Sequence, residues 1–315
     1  MPTNKPGIHH VTAIGGDPQQ NIDFYTQVLG LRLVKKTVNH DDPSTYHLYF
    51  GDDAGHPGTN FTFFPWPNGR SGQIGTGQAQ TTAFLIPQDA IGYWTNRFDE
   101  HDVAFDAPTT RFDETVISFR DPDGLELELV AHPETPDGDP WQDDPVPTDN
   151  AIRGFHGVTL ALEGYEQTAS LLEEEMGFAF DRDDDGRRFR YRSDGDVGFA
   201  IDLLCQPTRD RGRTGVGTVH HVAFRVESEA QQQQWREALI DRGLNVTPVI
   251  DRVYFQSVYF REPGGVLFEI ATEGPGFTVD EEHDELGTTL TLPPWLEDER
   301  QAIESRLPEL NASDQ

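Results

Sequence analysis

The chain is short of cysteine, long apolar runs and positive charge, and each shortage removes a class of function. Cys205 is the only cysteine among 315 residues, so neither an internal disulfide nor a thiolate metal cluster is available. No run of 18 apolar residues occurs, which excludes a spanning helix. The opening Met1-Pro-Thr-Asn-Lys carries no apolar signal stretch, so a soluble cytoplasmic protein is expected. Lys5, Lys35 and Lys36 are the only lysines, and 24 Lys+Arg face 55 Asp+Glu for a formal charge of −31. Such a surface repels nucleic-acid phosphates and anionic lipid, so no nucleic acid and no membrane is expected as a partner. The acids are spread among glycines, prolines and aromatics rather than gathered in a tail, which argues against disorder. Adaptation to high internal salt accounts for them better, and a halophilic archaeon is the expected source. On that reading the charge says nothing about the substrate.

What the chain does have is internal repetition. Phe119-Arg-Asp-Pro-Asp-Gly-Leu-Glu-Leu-Glu-Leu129 recurs as Phe260-Arg-Glu-Pro-Gly-Gly-Val-Leu-Phe-Glu-Ile270, 141 positions later, and Trp94 meets Trp235 at the same offset. His10-Val-Thr and Val28-Leu-Gly-Leu31 echo His156-Gly-Val and Glu175-Met-Gly-Phe178 at offsets of 146 and 147. Four modules follow, at 8–65, 78–132, 153–205 and 217–272. The first two make up a segment 1–132 and the last two a segment 151–275. The Pro- and Asp-rich stretch 133–150 reads as a linker, and 276–315 as a C-terminal extension with a helix. Each module has the order βαβββ, as in a strand His220–Val226, a helix Ala230–Arg242 stopped by Gly243, and three strands after it. In the opening module Asp17 starts the helix, Gly30 ends it, and strands Leu33–Thr37, Tyr46–Phe50 and Asn60–Phe64 follow. One such unit is a small open sheet. The expected fold is therefore α+β, with four βαβββ modules paired into two cupped, barrel-like mixed sheets.

Strand parity identifies the residues that face into a cup. Val222, Phe224 and Val226 pack on the helix of their module, so His221, Ala223 and Arg225 point inward. Likewise Val11 and Ala13 pack outward while His10, Thr12 and Ile14 face the cup. Val266, Phe268 and Ile270 leave Glu269 facing inward among apolar neighbours, which is costly unless it is paired or binds a metal. Two imidazoles and a carboxylate, each read on an edge strand, form a facial metal triad with open positions: His10, His221 and Glu269. A lone strand histidine is more often a satisfied core residue, and Glu269 alone can serve the barrel mouth; the three together favour metal. His47 reads as structural. His40, His56, His101, His132 and His283 lie in polar loops or at element ends and receive no role. Gly72-Gln-Ile-Gly-Thr-Gly77 leads into a strand, not a helix N-terminus, so it is no phosphate cradle.

The modules, the Phe-Arg-[Asp/Glu]-Pro-x-Gly signature and the strand-opening histidines resemble the vicinal oxygen chelate superfamily. Gly7-Ile-His-His-Val-Thr12, Tyr46-His-Leu-Tyr-Phe50, Pro57-Gly-Thr59, Arg153-Gly-Phe-His156, Pro263-Gly-Gly-Val266 and Leu292-Pro-Pro-Trp-Leu-Glu297 are similar to its ring-cleaving hydroquinone dioxygenases. The resemblance implies the vicinal oxygen chelate fold, with modules one and four forming one half and two and three the other. It implies Fe(II), or Mn(II) in its place, held by His10, His221 and Glu269. It assigns catalytic roles by position to His9, Thr12, His220, Arg252 and Tyr259, with Arg252 and Tyr259 close to substrate. Arg252 supplies positive charge near an anionic diolate or superoxide, or else serves in a surface ion pair. The catechol-type members imply a rival triad of His156, His221 and Glu269, in modules three and four.

The function expected is an Fe(II)-dependent ring-cleaving, extradiol-type dioxygenase. Its partners are a small aromatic diol of the hydroquinone class and O2, and self-association as a homo-oligomer is compatible with it. A glyoxalase-type isomerase or lyase is the alternative, but such sites take four protein ligands and the first module has Thr62 at the fourth place. A binding module without catalysis would leave the histidine doublets and Glu269 unexplained.

Overall fold

The computed structural model describes residues 6–142 and 145–310; Met1-Pro-Thr-Asn-Lys, Asp143 and Asp144 of the 133–150 stretch, and the last five residues of the 276–315 extension lie outside the described residues. Module one contains β1 (Ile8–Gly15), α1 (Pro18–Asp23), β2 (Arg32–Asn39), β3 (Asp42–Gly51) and β4 (Asn60–Pro65). Module two contains β5 (Gln78–Pro87), α2 (Ile91–Glu100), β6 (Thr109–Arg111), β7 (Glu114–Arg120) and β8 (Glu126–His132). Module three contains β9 (Phe155–Leu162), α3 (Glu166–Glu174), β10 (Ala179–Asp184), β11 (Arg188–Arg192) and β12 (Ala200–Cys205). Module four contains β13 (Thr218–Val226), α4 (Glu229–Asp241), β14 (Ile250–Asp251), β15 (Phe255–Arg261) and β16 (Leu267–Pro275). A short α5 (Arg300–Glu304) closes the C-terminal extension.

The strands form two eight-stranded mixed sheets, ordered β14-β15-β16-β13-β1-β4-β3-β2 and β10-β11-β12-β9-β5-β8-β7-β6. Modules one and four therefore share one sheet, and two and three the other. In each, the two halves join antiparallel at the first strands of their modules, β1 with β13 and β5 with β9. This corrects one expectation: β1, β13 and β16 are central, not edge, strands. A central strand has both hydrogen-bonding sides occupied, so side chains on it are held more firmly than on a free edge.

Local signals explain the elements. Asp17 caps α1 by accepting from the Gln20 amide at 2.9 Å, and Pro18 sits where its missing N–H costs nothing. A π-helical turn, Phe24–Val28, continues α1 and buries Phe24 and Tyr25 before Gly30 turns the chain at φ 71°. Ser228 caps α4, and Gly243 ends it at φ 89°. Trp94 and Trp235, the repeat markers, are both buried in one apolar cluster that joins the helix-facing sides of all four modules.

The repeated Phe-Arg-[Asp/Glu]-Pro motif ties the sheets together. The Asp121 carboxylate accepts from the Asp123 and Leu125 amides and from the Tyr25 hydroxyl at 3.0 Å, on the helical segment of module one. The Glu262 carboxylate does the same with the Gly264 and Val266 amides and the Thr168 hydroxyl on α3. Each acid shapes its own turn and reaches a helix belonging to the other sheet. The C-terminal extension covers β2, where Leu290 bridges Lys36 and the buried Lys35 ammonium meets Asp280 at 2.6 Å and Glu281 at 2.5 Å. Cover of this kind protects an otherwise open strand edge.

Candidate metal centre and cavity

Both histidine doublets are β-bulges. Opposite β13, Ile8 pairs with Phe224 and His10 with Ala223, so His9 is the extra residue on β1. Opposite β1, Thr12 pairs with His221 and Ala13 with Val219, so His220 is the extra residue on β13. A bulge lets neighbours that strict alternation would send to opposite faces come together. The His9 and His10 Nδ1 atoms lie 2.9 Å apart, and those of His220 and His221 2.8 Å apart.

These contacts fix the tautomers. The His9 Nε2 lies 3.1 Å from the Thr272 carbonyl oxygen, which can only accept, so His9 carries its proton on Nε2. The His9 Nδ1 is then a lone pair, the His10 Nδ1 is the donor to it, and the His10 Nε2 presents a lone pair to the cup. If His221 likewise donates its Nδ1 proton to His220, its Nε2 is also a lone pair. The two Nε2 atoms are 3.1 Å apart, and the Glu269 Oε2 is 3.3 Å from the His10 Nε2 and 2.9 Å from that of His221. That carboxylate oxygen is buried and no donor meets it in hydrogen-bonding geometry, while Ser257 donates to its other oxygen, Oε1. Ligand atoms of His10, His221 and Glu269 all lie within 4.8 Å of one another, a candidate His-His-Glu metal site. Converging lone pairs and an unmet carboxylate oxygen repel unless a cation lies among them, so the donor set fits a divalent metal.

Charge states agree. Burial, then His10, brings the His9 imidazole down to about 3; burial, then His221, brings His220 down to about 3. Both rings are neutral at pH 7. Burial works against the charge on Glu269; protonated His10, then His221, would hold it well below the usual carboxylate range, and with both Nε2 lone pairs free a bound cation would take that place.

Above the triad is a cavity of about 350 Å³, with His10 and His221 in its wall. Phe64, Trp66, Tyr49, Phe255 and Leu267 supply its apolar lining, and His40, His47, His220, Arg252 and Tyr259 its polar groups. Thr12 bridges the Thr62 hydroxyl at 2.7 Å and the His221 Nε2 at 2.9 Å. The Arg252 Nε donates to the Tyr259 hydroxyl at 3.2 Å, and its guanidinium also pairs with Asp41 at 3.0 Å. Arg252 thus lines the cavity and also takes part in an ion pair. Burial, then the Glu269 charge, pushes the Tyr259 phenol upward, so it keeps its proton.

Two histidines outside the expected site line the cavity. His47, read as structural, has Nε2 2.9 Å from the Thr62 hydroxyl oxygen and Nδ1 2.9 Å from that of Tyr49, and it also faces the cavity. The signal was available, because Leu48 and Phe50 belong to the core and parity turns His47 and Tyr49 the other way. His40, given no role, also lines the cavity, because the β2–β3 hairpin tip folds over it.

The rival triad is taken apart by topology. His156 lies on β9, in the other sheet from His221 and Glu269. Ala83 pairs with Gly157 and Phe84 with Phe155, so His156 is the bulged residue there and corresponds to His9, not His10. The second cup is filled by ion pairs. His156 meets Glu114 at 2.9 Å, Arg190 joins Glu114 at 2.5 Å and Asp202 at 2.7 Å, and Arg111 grips Glu128 at 2.8 and 2.5 Å. Glu128 faces Ala83 as Glu269 faces Ala223, but Thr81 stands two residues before that alanine where His221 stands in module four.

Residues 7–129 and 154–270 match the Glyoxalase/Bleomycin resistance protein/Dioxygenase superfamily. The chain belongs to this superfamily. Within the superfamily it is 48% identical over 302 residues to MhqO of Bacillus subtilis, named a ring-cleaving dioxygenase, covering 96% of this chain and 95% of that one. It is 33% identical over 306 residues to the chlorohydroquinone/hydroquinone 1,2-dioxygenase of Sphingobium indicum, covering 94% of each. A crystal structure of a Bacillus subtilis protein described as a dioxygenase superposes with a TM-score of 0.95 at 46% identity, over 100% of both chains. Glyoxalase I from Zea mays, at 16% identity and a TM-score of 0.64 over 85% of this chain and 92% of its own, shares the superfamily fold. These full-length dioxygenase relatives are bacterial and give an archaeal source no support. No helix among the described residues is long and apolar enough to cross a membrane.

Proposed function

We propose that the protein is an Fe(II)-dependent, extradiol-type ring-cleaving dioxygenase acting on hydroquinone-class aromatic diols, with His10, His221 and Glu269 as the metal ligands and Mn(II) the other metal the set would accept. The observation that carries this reading is the tautomer chain from the Thr272 carbonyl through His9, which turns the His10 Nε2 lone pair toward His221 and Glu269. The relatives' names supply the reaction class. Three protein ligands leave room for substrate and O2, and Thr62, the counterpart of Glu269 in module one, has its hydroxyl engaged by Thr12 and His47. A bound iron supplies electron transfer between a phenolate and O2.

The chain's own groups supply the rest. His9 and His220 orient the ligand rings through Nδ1, and Ser257 fixes Glu269. With His221 donating from Nδ1, the proton on His220 sits on Nε2, at the cavity wall, where it can pass to a substrate oxygen. Tyr259 accepts from Arg252 and so has its own proton to donate, while the Arg252 charge offsets negative charge developing on the opened ring. The aromatic walls exclude water and fit a flat ring.

The test is O2 uptake by protein loaded anaerobically with Fe(II). One O2 per hydroquinone, a ring-opened acid and no hydrogen peroxide are expected. Cleavage of catechols alone would remove the para-diol assignment and leave the dioxygenase class. Isomerisation of a thiol hemithioacetal without O2 uptake would replace the reading with the glyoxalase-type one.

A further inference from the structure

Most polar groups in the cavity are already engaged, and His40 is not. Both its ring nitrogens are buried and neither has a hydrogen-bond partner. Each unmet buried polar group costs free energy that a ligand can recover. The ring is neutral at pH 7, because burial, then Arg252, brings it down to about 4; it therefore offers one acceptor and one donor.

A hydroquinone carries a second hydroxyl on the far side of the ring from the one at the metal. A phenolic hydroxyl first needs an acceptor for its proton. Arg252 has none, and both His47 nitrogens are taken. The Tyr259 oxygen already accepts from Arg252, and Asp41, 76% exposed, gives one carboxylate oxygen to the same guanidinium and turns the group toward solvent rather than into a dry site. His40 sits on the hairpin tip with Asn39 and Asp41, on the cavity wall. Its ring is met edge-on by Trp295, centroids 5.5 Å apart at 86°. Trp295 belongs to the Leu292-Pro-Pro-Trp-Leu-Glu297 motif of the C-terminal extension, which the catalytic reading leaves without a task.

We infer that His40, positioned by Trp295, binds the hydroxyl of a para-diol remote from the metal and gives the site its preference for diols over monophenols. The inference rests on the hydroquinone reading above and deepens it: the extension is part of the substrate site.

The experiment is anaerobic calorimetric titration of the Fe(II)-loaded protein with hydroquinone and with phenol, which lacks the remote hydroxyl, alongside O2 uptake. The wild type is expected to bind hydroquinone more tightly than phenol. His40→Phe and His40→Asn should weaken hydroquinone binding on the order of tenfold, the loss of one buried hydrogen bond, with phenol binding and iron content unchanged. Trp295→Phe, which keeps an aromatic edge, should retain the preference, and Trp295→Ala should reduce it. The assignment of His40 is overturned if its variants keep the preference, or weaken both ligands equally, while the wild type cleaves hydroquinone. If Trp295→Ala keeps the preference, the positioning role of Trp295 is overturned. If the wild type neither prefers nor cleaves hydroquinone, the functional reading itself falls, and this inference with it.

Discussion

A histidine becomes a candidate metal ligand here through the atom behind it. The Thr272 carbonyl sets the His9 proton, His9 sets the His10 proton, and only then does the His10 Nε2 face the cup as a lone pair. Sequence parity located His10, His221 and Glu269 but not this mechanism, because a bulge leaves no trace beyond the doublet itself. His10→Ala, His221→Ala and Glu269→Ala should each lose most bound iron, measured by metal analysis, since no fourth ligand compensates. His156→Ala should keep its iron and instead lose about 1–3 kcal/mol of stability, because the Glu114 carboxylate loses a buried partner. An iron-free His156→Ala beside an iron-replete His10→Ala would reverse the assignment. Arg252→Ala and Tyr259→Phe touch the cavity rather than the triad, so turnover should fall about 10²-fold at unchanged iron content. Equal loss of iron and activity would make them supports of the metal site instead.

At the scale of elements, the repeated acid-proline turn was legible as a motif while its purpose was not. Asp121 and Glu262 each reach a helix of the opposite sheet, a contact between residues about a hundred positions apart, Tyr25 with Asp121 and Thr168 with Glu262. No pattern within one module announces such a partner. The Asp121 carboxyl is pushed up to about 7, by burial first and by Asp123 after it, against the donors that favour its charge. Unfolded, the group ionises near pH 4. Between that value and about 7 the unfolded chain releases a proton that the folded chain retains, so stability falls as pH rises through this window and the loss is complete above it. Asp121→Asn cannot undergo this change. Relative to the wild type it should be more favourable at pH 8 than at pH 4, by up to about 4 kcal/mol in denaturant titrations. A wild-type-to-variant difference that is constant across pH would show that Asp121 ionises normally in the fold. The hairpin over the cavity was the other element whose placement the sequence did not show: His40 stands in a polar turn, and only the tertiary placement of that turn against Arg252 brings it to the cavity.

The whole molecule is one open cup and a filled copy of it. The duplication that revealed the modules also produced two sheets of eight strands, and ion pairs of Arg111, Arg190 and Arg188 occupy the second where histidines line the first. The sequence showed four modules at a glance, yet aligned His156 with His10; the structure shifts it by one residue, to His9, because strand register rather than sequence offset decides which residue points inward. The charge of −31 is the other molecular property with a consequence. Screening length falls from roughly 30 Å at 0.01 M salt to roughly 3 Å at 1 M, so self-repulsion between carboxylates should fade and the melting temperature rise steeply into molar KCl. A flat profile would mean that local ion pairs already neutralise the surface. The central claim, that this site inserts both atoms of O2 into an opened ring, is tested most directly by turnover of hydroquinone under ¹⁸O₂ with mass analysis of the product. Two labelled oxygens in a ring-opened acid are predicted; unlabelled benzoquinone with hydrogen peroxide would contradict the account.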